Sequence, residues 1–368
     1  MTGDEATALI DSIRAGNALP TEWFSDPAIF RAELEKIHRK AWHYVAHVGE
    51  LAAPGDVIVR EVALVPVVLG RTEDGAIAGH VNICRHRGYP VVTEDGNQRV
   101  LRCHYHGWSY ALDGSLNNAP RSSPVDNFVP GDFGLVPVQV ATWGPMIWVN
   151  VDREAPPLHD WIAGMNEMLL ARGCDVTQYT YGFHNDWTID CNWKVFQDNT
   201  IECYHCPTTH PEFARAVVMA PAKQELGVGG PNWIHHRIPF RSGVEEGPTY
   251  KRPENGDPFW YHYNWIFPTT YLQHSGKGFD IGSINVLGVD QIRFRHIWFM
   301  PPDTPEADRA LGHKYLVRDP TIHQDVDICQ KVQAGHATGV APRGRMFTEP
   351  EFLLQHLQQR IVEMISRN

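Results

Sequence analysis

The sequence contains few of the features that mark membrane, secreted or nucleic-acid-binding proteins. No stretch approaches the roughly 18 uninterrupted apolar residues that a membrane-spanning helix needs. No run of five or six like charges occurs, and a net charge of -11 disfavours a phosphate-backbone partner. The N-terminus is acidic where a signal peptide would be basic. We therefore expect a cytoplasmic protein with no nucleic-acid and no membrane partner.

Cysteine is also scarce, with seven residues in a chain of 368. An odd number of cysteines without an export signal disfavours a disulfide framework and leaves the thiols for metals or packing. Internal repeats and Gly/Ser-rich linkers are absent as well. The apolar content of 43% and the 12 Trp, 12 Tyr and 15 Phe are those of a folded globular protein. A chain of this length predicts two domains.

The pattern of apolar residues divides the chain into three segments. Residues 1–42 are predicted to be helical, with Asp26 capping a helix over 26–42 and Pro27 at its first position. Residues 43–155 contain short β-branched runs separated by Gly, Asp and Pro, which predict an all-β domain.

The third segment, residues 156–368, predicts a sheet between helical parts. Residues 156–215 are predicted to be helix and loop, including a helix over 161–172. Strands are predicted between about 225 and 301, with a hairpin turn at 288–290, and helix from about 321. The fold class is α+β.

Two short loops in the β domain each offer one thiolate and one imidazole. The first carries Cys84 and His86, and the second carries Cys103 and His106. Two Cys and two His are the ligands of a Rieske 2Fe-2S centre. One zinc ion could take the same donors, although zinc fingers usually separate a Cys pair from a His pair. Simple packing is the other alternative.

A second group of potential ligands follows in residues 202–210. Glu202 and His205, three positions apart, are predicted to share one face of a helix. Pro207 is predicted to interrupt that helix, so that His210 can return toward His205 on the next loop. Two His and a carboxylate form the facial triad of non-haem Fe(II) oxygenases. Judged alone, such a His pair is more often surface or core, and Glu202 a solvated acid.

Together the two groups resemble those of the Rieske-type non-haem iron oxygenases, the family of ring-hydroxylating oxygenase alpha subunits. Residues 84–88 and 103–108 are similar to its C-x-H and C-x-x-H loops, although His104 stands where many relatives carry proline. Respiratory Rieske proteins carry an extra Cys in each loop, which residues 85–102 lack. The resemblance implies a Rieske domain over 43–155 and a helix-grip (START-like) catalytic domain over 156–368, on which residues 1–42 pack.

The resemblance also implies roles for particular residues. The pattern Glu202-x-x-His205-x₄-His210 is similar to the family's mononuclear iron motif. Asp325 would be the third ligand, at the opening of a C-terminal helix, with Asp327 as the fallback. On its own, an acid at a helix start is more often a cap. Glu202 would be catalytic, because it would link His205 to a cluster ligand, His106 of the partner subunit, in a homotrimer.

The implied activity is that of a terminal oxygenase with a 2Fe-2S cluster and mononuclear Fe(II), acting on O₂ and a small organic substrate. Electrons from NAD(P)H would arrive through a separate reductase, possibly with a ferredoxin, because the chain has no G-x-G-x-x-G turn after a strand. An electron-transfer protein without oxygenase activity is the alternative of another class.

Aromatic ring hydroxylation is the main expectation for the substrate. Mono-oxygenation or N-demethylation of a quaternary ammonium compound, such as a betaine or carnitine, is the alternative. The candidate pocket residues are the aromatic and apolar side chains Trp265, Phe267, Tyr271, Phe294, Trp298 and Met300.

The remaining cysteines are predicted to be packing residues. Cys203 and Cys206 form a C-x-x-C pattern, for which redox and zinc roles are the alternatives. Cys174, Cys191 and Cys329 are expected to be buried as small apolar side chains.

Overall fold

The computed structural model describes residues 1–123, 125–244, 260–274, 276, 278–347 and 349–367. The chain forms two compact units. One is Arg39–Leu158, and the other combines Met1–His38 with His159–Asn368. In the described residues, none of the helices is both long and apolar enough to span a membrane.

The unit Arg39–Leu158 is built from short antiparallel strands in three sheets, with the orders β1-β10-β9, β4-β3-β2-β5 and β6-β7-β8. The predicted all-β N-terminal domain is confirmed. Its strands are β1 His43–His47, β2 Asp56–Val62, β3 Val65–Arg71, β4 Ile77–Val81, β5 Gly96–Asn97, β6 Leu101–Arg102, β7 Ser109–Tyr110, β8 Leu116–Asn118, β9 Gln139–Trp143 and β10 Met146–Asn150.

The other unit is α+β, as predicted, and centres on a seven-stranded antiparallel sheet in the order β11-β17-β16-β15-β14-β13-β12. The strands are β11 Thr180–Ile189, β12 Glu225–Gly230, β13 Trp233–Pro239, β14 Trp260–Ile266, β15 Thr270–His274, β16 Phe279–Val286 and β17 Ile292–Met300. The predicted hairpin turn at 288–290 is confirmed, and it joins β16 to β17.

Helices surround this sheet and carry the candidate ligands. The described helices are α1 Gly3–Arg14, α2 Pro27–Lys36, α3 Leu158–Trp161, α4 Met165–Ala171, α5 Trp193–Thr200, α6 Cys206–Thr209, α7 Pro211–Ala216, α8 Glu306–Arg318, α9 Pro320–Ala337 and α10 Phe352–Ser366. Helix α5 packs against α9. Since α5 leads into residues 202–210 and α9 carries Asp325, this contact brings the two ends of the candidate site together.

Strand β11 was not predicted, because its sequence does not alternate cleanly between apolar and polar residues. It pairs along its whole length with β17 at the edge of the sheet. Asp186 lies opposite Arg295 in this register and accepts two hydrogen bonds from its guanidinium, at 2.7 and 3.0 Å. Charged side chains are typical of edge strands, where one side of the backbone stays unpaired. These polar and charged side chains explain why the sequence pattern did not predict a strand here.

Three helix predictions also differ from the structure. The helix predicted over 26–42 does begin at Asp26, whose carboxylate accepts a hydrogen bond from the Ala28 amide at 2.7 Å. It ends at Lys36, because the chain leaves one unit for the other after His38. The helix predicted over 161–172 is divided at Gly164, whose φ of 81° is left-handed. Helix α8 starts well before residue 321.

A buried ion pair fixes α2 against the start of α5. Glu33 and Lys194 have no exposed side-chain surface, and their charged atoms lie 2.7 Å apart. The Trp193 indole donates a further hydrogen bond to Glu33 at 2.8 Å. Burial raises the pKa of Glu33 and lowers that of Lys194, and the attraction between them opposes both shifts. Each charge therefore depends on the other.

We predict that Glu33→Ala lowers the free energy of unfolding of this unit by about 3–5 kcal/mol, because it leaves the Lys194 charge buried without a partner. Urea denaturation followed by tryptophan fluorescence measures the change. Asp327→Ala is the control, since it removes an exposed ion pair with Lys331 and should leave the midpoint unchanged. If Glu33→Ala lowers the free energy of unfolding by less than about 1 kcal/mol, the Lys194 charge does not depend on Glu33.

Candidate cluster site and metal centre

The two Cys–His loops have the same backbone geometry despite their different spacing. In each loop the Cys carbonyl accepts a hydrogen bond from the glycine four residues later, Gly88 or Gly107, at 3.0 Å. The Cys amide then donates to the carbonyl of the residue after that glycine, at 2.8 Å. Both glycines have a φ of 75°, which other residues rarely adopt. The turn under each Cys therefore requires glycine.

The thiols and imidazoles of these loops lie at different depths. Cys84 and Cys103 are 3% and 1% exposed and belong to the core of the β unit, whereas His86 and His106 are exposed. The two imidazole rings lie 4.6 Å apart. The Tyr110 hydroxyl lies 3.3 Å from the Cys84 sulfur. This arrangement fits a cluster with two metals, one inside held by thiolates and one outside held by imidazoles.

A single zinc ion fits these donors less well. A tetrahedral site needs all its donor atoms close to one another. Within the described part of the chain, the one group with three potential donor atoms all within 4.8 Å of each other is His205, His210 and Asp325. The four donors of the loops do not form such a group, which fits a set divided between two irons.

His205, His210 and Asp325 converge at the second site. The Asp325 Oδ1 atom lies 2.9 Å from His210 Nε2 and 3.5 Å from His205 Nε2. His210 is 3% exposed, and Asp325 lies in the second turn of α9. Two imidazoles and a carboxylate on one side of a cavity are the donor set of a mononuclear non-haem iron site. The residues present therefore fit this metal.

The far nitrogen of each imidazole has its own acceptor. Glu202 Oε1 accepts a hydrogen bond from His205 Nδ1 at 2.5 Å, and Gln324 Oε1 accepts one from His210 Nδ1 at 2.7 Å. Protons held on both Nδ1 atoms leave both Nε2 atoms for a metal. Gln324 was not predicted, and only its position next to Asp325 marks it in the sequence.

The electrostatics of the group also favour a cation. Burial disfavours protonation of His205, but hydrogen bonds to Asp325 and Glu202 outweigh it and raise its pKa to about 10. Burial raises the pKa of Asp325, yet its hydrogen bonds to His205 and His210 produce a net lowering. The protein thus stabilises positive charge at the point where the three side chains meet. A divalent metal would displace the extra proton, because imidazole binds metals in its neutral form.

The predicted local structure around Glu202 is wrong. Helix α5 ends at Thr200, and Glu202 lies in a turn, where its carboxylate accepts a hydrogen bond from the Tyr204 amide. Pro207 does not interrupt a helix but lies in the first turn of the short helix α6. Proline is tolerated there because the first amides of a helix have no intrahelical acceptor. Glu202 and His205 meet through this turn instead of along a helix face.

The predicted position of Asp325 at the opening of a helix also differs from the structure. Helix α9 is capped by Asp319, which accepts a hydrogen bond from the Thr321 amide at 2.9 Å. The fallback ligand Asp327 lies away from the site, with a side chain that is 60% exposed and paired with Lys331. Asp325 is the acid of this helix that faces the two imidazoles.

The prediction that Cys203 and Cys206 are packing residues is wrong, because they form a disulfide. The turn that holds Glu202 brings their Cα atoms to 4.9 Å, within the range that a disulfide spans. The expectation for the other three cysteines is confirmed, since Cys174, Cys191 and Cys329 are buried.

A cavity of about 370 Å³ opens beside the three candidate ligands. Tyr271, Phe294 and Trp298 line it as predicted, whereas Trp265, Phe267 and Met300 do not. Several other side chains of the wall were not predicted. Alternation along the strands could have identified some of them, since Tyr261 and Tyr263 share one face of β14. The missed lining residues include His236, Tyr261, Tyr263, Asp280 and Tyr315.

The two units match two family models. Residues 41–129 match the Rieske [2Fe-2S] domain, and residues 176–367 match the catalytic domain of the ring hydroxylating alpha subunit. The second match covers more than half of the chain.

Known proteins resemble the chain over most of its length. The carnitine monooxygenase oxygenase subunit of Escherichia coli (strain K12) is 27% identical over 336 residues, which are 90% of this chain and 87% of that protein. The chloroplastic choline monooxygenase of Arabidopsis thaliana is 26% identical over 340 residues, or 89% of this chain and 78% of that protein.

Solved structures show the same fold. A quaternary ammonium Rieske monooxygenase superposes with a TM-score of 0.82 at 25% identity, covering 95% of both chains. The naphthalene 1,2-dioxygenase of Rhodococcus sp. has a TM-score of 0.82 at 20% identity, covering 98% of this chain and 97% of that one. The chain therefore belongs to the Rieske non-haem iron oxygenases, as a terminal oxygenase component that uses a 2Fe-2S cluster and a mononuclear iron.

Proposed function

We propose that this oxygenase acts on a quaternary ammonium compound. The observation that carries the proposal is the character of the cavity wall. Its largest side chains are aromatic, and the described lining residues include five acids but neither Lys nor Arg. Aromatic faces attract a desolvated cation, and nearby carboxylates add to this attraction. The acids in question are Glu202, Glu212, Asp280, Asp319 and Asp325.

The named relatives support the same substrate class. The curated proteins described above are a carnitine monooxygenase subunit and a choline monooxygenase. Ring hydroxylation was the main expectation from the sequence. The similarity to naphthalene 1,2-dioxygenase favours it, but that similarity shows the fold alone. An aromatic cavity would accept an arene, yet an arene gains nothing from the acidic side chains.

His205, His210 and Asp325 would hold the mononuclear iron, and Cys84, His86, Cys103 and His106 would hold the cluster. When bound, the two metal groups supply the electrons and the site for O₂ activation. The protein's own part is positioning. Glu202 and Gln324 fix the two imidazoles by accepting their Nδ1 protons. Phe196 and Phe294, whose rings lie 4.7 Å apart, exclude water from the wall beside the ligands.

Glu202 would also connect the metal centre to the electron supply. Its carboxylate binds His205 with one oxygen, and its side chain is 11% exposed. In a homotrimer it would accept a hydrogen bond from His106 of the partner subunit, and a separate reductase would feed the cluster. Both partners follow from the family and are part of the proposal.

The proposed substrate class is tested by single turnover of enzyme that has been loaded with both metal groups and reduced before mixing with O₂. We expect product from at least one of choline, glycine betaine and L-carnitine, detected by mass spectrometry. Naphthalene and indole serve as the arene controls and should be unchanged. Product from the arenes alone would overturn the assignment.

For the metal ligands we predict that His210→Ala removes the mononuclear iron, about one iron per chain, and leaves the cluster spectrum intact. The mutation removes one of three donors, and His210 lies in the other unit from the cluster loops. Iron and sulfide analysis with EPR of the reduced protein measures both. His323→Ala is the matched control, because His323 is exposed, lies on α9 and is not one of the three donors. Full iron in His210→Ala would refute the ligand assignment.

Glu202→Gln is expected to keep both metal groups and to lower steady-state turnover by about 10–100-fold. The amide cannot hold the His205 proton as the carboxylate does. If Glu202 connects the two centres, oxidation of the reduced cluster should slow by a similar factor in stopped-flow measurements. Glu306→Gln, at an exposed acid of α8, is the control and should behave as wild type. Unchanged cluster oxidation in Glu202→Gln would exclude the connecting role.

A further inference from the structure

Three acids of the cavity wall, Glu212, Asp280 and Asp319, are not candidate ligands and do not position the imidazoles, and of these three only Asp280 is buried. Asp280 lies on β16, lines the cavity and is 2% exposed. Its Oδ2 atom accepts a hydrogen bond from His296 Nε2 at 2.6 Å. Burial raises the pKa of Asp280, so the site holds a carboxylate whose charge is poorly solvated. A buried acid of this kind needs a compensating charge.

The surroundings of Asp280 provide aromatic faces. Tyr271 and His296 both lie opposite Gly282 in the sheet register, two residues along the same face of β16 from Asp280. A Cβ atom at Gly282 would lie 2.0 Å from the Tyr271 ring, so the glycine lets this ring lie over the strand beside Asp280. Trp298 is the register partner of Asp280 on β17 and also lines the cavity.

Neither a lysine nor an arginine in the described part of the wall supplies the compensating charge. The lining residues within the described ranges include neither Lys nor Arg. His296 is the basic group in contact with Asp280, and its Nδ1 atom is buried without a hydrogen-bond partner. Three of the other acids in the wall lie on other elements, namely Glu202 in its turn and Asp319 and Asp325 at α9.

We propose that Asp280, held by His296, determines specificity by binding the ammonium group of the substrate, with Tyr271 and Trp298 beside it. A quaternary ammonium ion has no N–H group to donate, so it is recognised by charge and by aromatic faces. Asp280 supplies the charge, and the rings supply the faces. This inference rests on the proposed substrate class and assigns its recognition to one side chain.

The test compares Asp280→Asn with wild type on two matched substrates. The first is whichever of choline, glycine betaine and L-carnitine the wild-type enzyme oxidises. The second is its neutral isostere, in which a tert-butyl group replaces trimethylammonium. Asn keeps the size of the side chain and an oxygen that accepts the His296 hydrogen bond. Only the charge is lost.

We expect kcat/KM for the cation to fall at least about 30-fold, mainly through KM, the low end of the cost of removing one partner of a buried charge pair. For the neutral isostere it should change less than about threefold, because the cavity keeps its shape. An equal loss for both substrates would show that Asp280 is structural. An unchanged kcat/KM for the cation would also overturn the inference while leaving the proposed substrate class in place.

A second variant tests whether the effect is specific to Asp280 or comes from the summed charge of all the acids in the wall. Asp319→Asn removes another acid of the same cavity and keeps the cap of α9, because Asn also caps helices. Its effect on the cation should be several-fold smaller than that of Asp280→Asn. Equal effects would show that recognition is spread over the wall. If wild type oxidises only arenes, the proposed substrate class itself fails.

Discussion

The catalytic unit depends on a fixed alignment of α5 and α9. The two candidate histidine ligands follow the end of α5, whereas Asp325 lies on α9. Asn192, at the start of α5, donates its amide to the Gln333 side chain of α9 at 2.9 Å. The Asn192 side chain in turn accepts a hydrogen bond from Lys194 at 2.8 Å, and Lys194 is paired with Glu33. These four residues are 0–5% exposed, so a shift of one helix along the other would leave their buried polar groups unpaired. That alignment places Asp325 against the two imidazoles.

Much of this arrangement could be predicted because ligand sets leave short, local patterns. The loops at Cys84 and Cys103 are recognisable from their spacing, since their ligands must converge on one centre. The pair His205 and His210 is weak on its own and gains its meaning from those loops and from the family resemblance. The turn at Glu202 was not predictable, because a spacing of three residues fits a helix equally well. Strand β11 was not predicted, because the polar side chains of this edge strand interrupt the alternation that indicates a strand.

The acid on β16 illustrates a different limit. Asp280 sits in a run that alternates with apolar residues, and nothing nearby in the sequence marks it as lining a cavity. Its partner His296 is 16 residues away, on the neighbouring strand. The pair becomes visible only when the register of the β16–β17 hairpin is known, because this register brings the two side chains to the same face of the sheet. The disulfide between Cys203 and Cys206 was not predicted either, because the two cysteines meet only through the turn that holds Glu202.

The glycine beneath Tyr271 has a consequence for how this cavity changes shape. Because Gly282 leaves room for the ring, a methyl group at this position would push Tyr271 away from β16. The carboxylate of Asp280 would stay in place on the same strand. The size of the cavity and its charge are therefore set by separate residues two positions apart. A single substitution at Gly282 would therefore change the room left for a substrate and keep the buried carboxylate.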